Sequence, residues 1–144
     1  LHGEREYGPD VMQLLYMANR YERKPDLQRW LAEGEILVCD RYLASSIAYG
    51  SAFGLEPVWL AETQRFLPPP DLTILLDIAP ETAVGRKSVD RDRYERDLAL
   101  QARVREAYRQ LALQSSWLRV DGERAKDEIA DEVFTAVSSR LARP

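Results

Sequence analysis

The sequence predicts an α/β protein built on a parallel sheet. Three short apolar runs, Ile36–Cys39, Leu72–Ile78 and Trp117–Val120, have the length and composition of buried strands. Segments of helical periodicity separate them, and strands joined through helices pair in parallel with right-handed crossovers. Turn and cap residues mark the borders: Gly34, Pro57, Pro68-Pro69-Pro70, Pro80 and Asp121-Gly122.

The elements follow in order. Asp10 to Arg23 has helical spacing, with Val11, Leu14, Leu15 and Ala18 on one stripe. Pro25 is expected to interrupt it, and a second piece carrying Leu27, Trp30 and Leu31 ends at Gly34, a C′ residue. The first strand follows, with Cys39 as a small core residue. A helix covers Ala44 to Ala52, and Pro57 opens another carrying Val58, Leu60 and Phe66. The triple proline ends that helix, since none continues through it. After the second strand, Pro80 suits the first position of a helix. Arg86 to Glu95 is charged without an apolar stripe, and a helix from Leu98 to Gln114 leads to the third strand. The final helix has Ile129, Val133, Val137 and Leu141 at spacing four, and Trp59 and Trp117 read as packing residues.

A chain of 144 residues is one domain or part of one. Its net charge of −4 argues against a broad electrostatic grip on nucleic acid, though local arginine clusters still suit a small phosphorylated ligand. The single cysteine excludes an internal disulfide and suits a reducing cytoplasm. No apolar run approaches the roughly 18 residues that a membrane span requires. With His2 as its one histidine, the chain offers neither a His/Cys zinc site nor a Ser-His-Asp triad. Its chemistry must rest on carboxylates, arginines and hydroxyls.

Ligands gather beyond the carboxyl ends of parallel strands, where Asp40-Arg41, Asp77 and Asp121 fall. In CDRYLASSIAYG, Arg41 suits a bidentate grip on a phosphate, and Asp40 suits orienting it or holding a metal. A structural ion pair is the plainer alternative. Tyr42, Ser45, Ser46 and Tyr49 share a helical face rich in hydroxyls. In LLYMANRYER, Tyr16 and Arg20 lie four apart and suit a clamp on a planar heterocycle with carbonyl acceptors. The alternative there is a core tyrosine and a solvated arginine. In GRKSVDRDRYER, Arg86, Lys87, Arg91, Arg93 and Arg96 converge, with Asp90 and Asp92 among them. That run is either a solvated loop or a lid that brings arginines to a transferring phosphoryl group.

Together these segments resemble the thymidylate kinase family of P-loop nucleoside monophosphate kinases. DRYLASSIAY is similar to the family's strand-end motif, and LLYMANRYER to its thymine-contacting helix. PDLTILLDIAPETAVGR is similar to the next strand and helix, and DRDRYE followed by RVREAY to the lid and the helix after it. The order and spacing match over nearly the whole chain. The resemblance implies a P-loop-kinase-like three-layer α/β/α fold. It also implies phosphoryl transfer from ATP to dTMP with Mg2+, in a cytoplasmic homodimer.

By that resemblance Tyr16 stacks on thymine and Arg20 bonds its exocyclic carbonyl. Ser45 and Ser46 belong to the dTMP site, Ser46 towards the base. Arg41 grips the acceptor phosphate, Tyr49 packs under the sugar and disfavours a 2′-hydroxyl, and Asp40 sits near magnesium. Residues 86–96 form the lid, with Arg86, Asp92, Arg93, Tyr94 and Glu95 in it and Arg91 and Arg93 as catalytic arginines beside Arg41. Gly50 departs from the family, standing where many members have glutamine, as do Leu100 and Gln101 near a position often aromatic. No G-x-x-x-x-G-K-[ST] occurs in the chain, so the N-terminal strands and phosphate loop are expected to lie outside it. Residues 1–144 then read as the C-terminal portion of one domain. Two other readings stay open: a kinase for another nucleotide or a deoxynucleoside, and a non-catalytic nucleotide-binding module without the loop.

Overall fold

The computed structural model describes residues 7–86 and 97–142. The chain divides into two compact units, Leu1–Pro69 and Pro70–Pro144.

The first unit is helical. Helix α1 spans Pro9–Ala32, α2 spans Leu43–Ala52 and α3 spans Pro57–Glu62. Prolines at the first turn of α1 and α3 suit positions whose N–H has no helical acceptor. Gly34 and Gly54 end α1 and α2 with φ of 82° and 87°. At each end the glycine N–H returns to Leu31 O or Ser51 O, and the next N–H returns to Trp30 O or Gly50 O. These Schellman closures satisfy carbonyls that the helix leaves unpaired.

Two expectations for α1 are corrected. The helix does not break at Pro25 but runs through it. Proline removes one ladder bond, at the Tyr21 carbonyl, and an interior proline costs about 3 kcal/mol. Half-buried Leu27 and Trp30 beyond it, and anchored Arg20 and Tyr21 before it, offset that local loss. The packed face also differs. Gln13 and Met17 are buried, whereas Val11, Leu14, Leu15 and Ala18 are exposed. Polar anchors select this face: Tyr21 Oη donates to Thr63 O at 2.8 Å, and Thr63 Oγ1 lies 3.0 Å from Met17 Sδ.

The expected strand at Ile36–Cys39 is not formed, and Cys39 is exposed rather than part of the core. A strand exists only through its ladder partner, and no described residue pairs with this run. Ile36 is 63% and Val38 93% exposed as a result.

Helices α2 and α3 meet around Leu60, which is 0% exposed, with Ala48 and Leu67 also buried. Gly50 is required there: a Cβ would lie 2.5 Å from Leu60 Cδ1. The departure from the family's glutamine thus makes room for a core leucine. Phe66 and Val58, expected on the apolar face, are exposed, and α3 ends at Glu62 before a run of turns. The buried stripe is instead Leu60, Gln64 and Leu67.

The second unit holds the sheet. Strand β1 spans Thr73–Asp77 and β2 spans Trp117–Asp121, paired in parallel with Asp77 opposite Asp121. The expected three strands are therefore two among the described residues. Helices α4 (Pro80–Arg86) and α5 (Leu98–Leu111) lie between them in sequence, and α6 (Lys126–Leu141) follows β2. Val120, Leu100 and Val104 are buried, while Ile129, Val133 and Val137 are half-buried. A two-stranded pair is marginal alone, so contacts of α5 with β1 and of α6 with β2 supply its support. Asp97 caps α5 by accepting from Leu100 N at 2.9 Å.

Leu60→Ala is expected to lower the unfolding free energy by about 2–5 kcal/mol, since the methyl groups leave a cavity that a close-packed site cannot fill. The denaturant midpoint checks this, and a loss under about 0.5 kcal/mol contradicts the packing described.

Candidate functional site

In the first unit, α1 carries Tyr16 and Arg20, and α2 carries Ser45, Ser46 and Tyr49. Arg20 Nη1 donates to Ser46 Oγ at 2.6 Å and to Gln64 Oε1 at 2.9 Å. Ser46 and Ser45 are both buried, so the hydroxyl-rich face of α2 turns inward. An inward polar face is tolerated because Arg20 meets the Ser46 oxygen, a bond stronger than a neutral pair. Tyr16 lies one turn before Arg20 on α1 and is 43% exposed.

The turn into α2 carries the second feature. Arg41 has φ of 61°, in the left-handed region that costs a non-glycine residue about 1–3 kcal/mol. Its guanidinium lies over the Tyr49 ring, 5.2 Å from the centroid, a cation–π contact. The exposed Arg41 and the half-buried Tyr49 ring are thus brought together, two turns of α2 from the strained residue. Asp40 is exposed beside it. Burial pushes the Tyr42 phenol up from its ordinary value, with Cys39 and Tyr21 adding to the rise and the Arg20 charge opposing it. The Tyr42 hydroxyl and Gln13 Oε1 are buried without a hydrogen-bond partner among the described residues.

The second unit places Asp77 at the carboxyl end of β1, 8% exposed, between two arginines of α5. Arg105 Nε donates to Oδ1 at 2.6 Å and Arg109 Nε to Oδ2 at 2.9 Å. Burial alone would raise the Asp77 pKa, but the bonds and charges of Arg105 and Arg109 together hold it below the ordinary carboxylate value. Arg86, expected in the lid, donates to Gly122 O at 2.6 Å and Glu123 O at 3.0 Å. The Glu123 carboxylate in turn accepts from Ala79 N at 2.7 Å. That bond, with one from Thr82, lowers its pKa. Arg86 therefore ties the end of α4 to the turn after β2. Gly122 is needed in that turn, because a Cβ would lie 3.1 Å from Asp77 O. The other lid residues, Arg91, Asp92, Arg93, Tyr94 and Glu95, lie outside the described residues.

Sequence reasoning missed Gln64 and Gln13 and noted Asp77 only for its place at a strand end. The signal for Gln64 was present: a polar residue on the stripe Leu60, Gln64, Leu67, at i, i+4 and i+7. Gln13, Met17 and Arg20 repeat that spacing on α1.

A parallel strand pair connected through helices makes this an α/β protein, and the family it matches has the P-loop kinase fold. The chain belongs to the thymidylate kinase family, whose sequence model matches residues 1–133. It is 40% identical over 110 residues to a probable thymidylate kinase of Sulfolobus acidocaldarius, covering 74% of this chain and 57% of that protein. It is 31% identical over 133 residues to probable thymidylate kinase 1 of Saccharolobus solfataricus, covering 92% and 70%. A thymidylate kinase of Dictyostelium discoideum is 30% identical over 133 residues, covering 92% and 60%. The chain thus spans between 57% and 70% of the length of these relatives.

Two outcomes follow for these sites. Arg41→Gly is expected to leave the unfolding free energy unchanged or raised by up to about 1 kcal/mol, because glycine adopts positive φ without penalty. A loss above about 1 kcal/mol on chemical denaturation contradicts the strain assigned to Arg41. For Asp77, the depressed folded pKa adds stability that is complete above the unfolded value, about 3.9, and is lost as pH falls through the folded value. Asp77→Asn should therefore flatten the fall of stability below about pH 4, read from thermal midpoints across an acid titration. An unchanged slope rules out the arginine clamp as its source.

Proposed function

We propose that the protein transfers the γ-phosphoryl group of ATP to dTMP, giving dTDP and ADP. The observation that carries this reading is the Arg20 guanidinium held by Ser46 and Gln64, one turn from the Tyr16 ring. A fixed donor beside an aromatic face suits a pyrimidine with a 4-carbonyl, as thymine has. Family membership supports the same substrate class.

In this reading Arg41 takes the acceptor phosphate, and its strained backbone and the Tyr49 ring pre-orient it. Ser45, Ser46 and Tyr49 complete the dTMP side, with Tyr49 under the sugar. The phosphate oxygen of dTMP is already nucleophilic near neutral pH, so no strong general base is required. Positioning and charge stabilisation carry the catalysis. Arg91 and Arg93 supply further cations from the lid, whose root Arg86 fastens to the turn after β2.

Magnesium fits this arrangement as a companion of ATP. No group of three or more His, Cys, Asp or Glu that could hold a metal gathers among the described residues. An exposed Asp40 suits an ion held mainly by nucleotide phosphates and water, with one carboxylate from the protein. Bound there, the ion offsets charge on the transferring oxygens. The reading extends to a cytoplasmic homodimer that binds nucleotides rather than nucleic acid. No described helix is long and apolar enough to cross a membrane.

The complete protein, given ATP, magnesium and each deoxynucleoside monophosphate in turn, should form dTDP with the highest kcat/KM. Arg41→Ala should lower kcat/KM for dTMP by about 100-fold or more, the scale of one lost charge-stabilising donor. Preference for another monophosphate, or binding of dTMP without turnover, overturns the reading.

A further inference from the structure

We propose that Gln64 is the positioning residue for Arg20, and through it a determinant of which base the site accepts. The inference rests on the dTMP reading of Arg20 given above. Gln64 is 2% exposed, and its side-chain amide is engaged at both ends. Oε1 accepts from Arg20 Nη1 at 2.9 Å, while Nε2 donates to Leu60 O at 2.9 Å and to Leu43 O at 3.3 Å.

These partners leave one orientation for the amide. A guanidinium only donates and a backbone carbonyl only accepts, so a flipped amide would set donor against donor and acceptor against acceptors. Gln64 therefore holds its oxygen towards Arg20 by the geometry of two carbonyls that cannot move without unwinding α2 or α3. Leu43 is the first residue of α2, directly after the turn that contains Arg41. One side chain thus joins α1, α2 and α3, and links the Arg20 environment to the start of the helix that follows Arg41.

Leu60 and Leu67, the other members of the Gln64 stripe, are buried and apolar. A leucine at position 64 would match that apolar stripe but would leave the Arg20 guanidinium one acceptor short. Arginine has many rotamers, and a donor already held in its binding geometry loses less freedom when a ligand arrives. Ser46 and Gln64 converge on the same nitrogen and so fix both the reach and the rotation of the guanidinium plane. A fixed plane separates a 4-carbonyl, which accepts, from a 4-amino group, which donates.

The test uses the complete protein with Gln64→Met, which keeps the shape and removes the acceptor, and Gln64→Leu, which removes it with a branched side chain of similar size. Steady-state kinetics are measured for dTMP, dCMP and ATP, with thermal midpoints alongside. Gln64→Met is expected to raise KM for dTMP about tenfold, the scale of one hydrogen bond. It should leave kcat and the KM for ATP within about twofold, and narrow the preference for dTMP over dCMP by about tenfold. Gln64→Leu is expected to raise the KM for dTMP by a similar factor. A Gln64→Met enzyme with an unchanged dTMP/dCMP ratio, or losses shared equally by ATP and dTMP, overturns the positioning role. If Gln64→Met has no cooperative thermal transition, Gln64→Leu decides by the same dTMP/dCMP ratio, and loss of the transition in both variants overturns the positioning role. Absence of dTMP turnover in the wild type overturns the functional reading, and Gln64 with it. Wild-type turnover with an insensitive Gln64→Met overturns the Gln64 inference alone.

Discussion

A guanidinium can enter a helical interface only if oxygen atoms meet it there, and that requirement organises the first unit. Arg20 meets Ser46 and Gln64, and Gln64 in turn meets two carbonyls. Each bond draws a polar face inward, so α1 packs by Gln13, Met17 and Arg20 while its apolar residues at 11, 14, 15 and 18 remain outside. A core built by hydrophobicity alone would have rotated the helix the other way. The net worth of each hydrogen bond is modest, but an unmet buried donor costs more than a met one gains.

The second unit obeys a related rule around a carboxylate. Asp77 ends β1 opposite Asp121, and the parallel register brings two acids side by side at the same end of the pair. They are handled differently. Asp77 is buried and neutralised by Arg105 and Arg109, whereas Asp121 accepts from Glu123 N at 3.0 Å in the exposed turn. The Arg86 bonds to the carbonyls of that turn, and the close approach of Gly122 to Asp77, make the strand ends and the end of α4 one connected structure.

Local punctuation was the most legible part of the sequence. Gly34 closes a helix because it accepts positive φ, and Pro57 and Pro80 open helices. Those effects act within a turn of chain and need no partner. The strand expected at residues 36–39 was misread because pairing is a property of two segments. Pro25 was misread because packing on both sides outweighs one missing bond. Among the candidate site residues, Arg20, Ser46, Arg41 and Tyr49 stood out by chemistry and spacing. The left-handed backbone at Arg41 left no mark, since arginine does not advertise it. Gln64 lies on an apolar stripe, and its partner Arg20 is 44 residues away, a pairing that spacing along one helix does not reveal.

The run from Ile36 to Cys39 has a practical corollary for anyone handling this polypeptide. Its side chains are apolar and β-branched in part, its backbone has no ladder among the described residues, and it ends in an exposed thiol. Such a stretch templates edge-to-edge association between molecules, and charged gatekeepers are the usual defence. Here Glu35 and Asp40 bracket it, one at each end. Colloidal behaviour at high concentration should thus depend on those two flanking acids as well as on the overall charge.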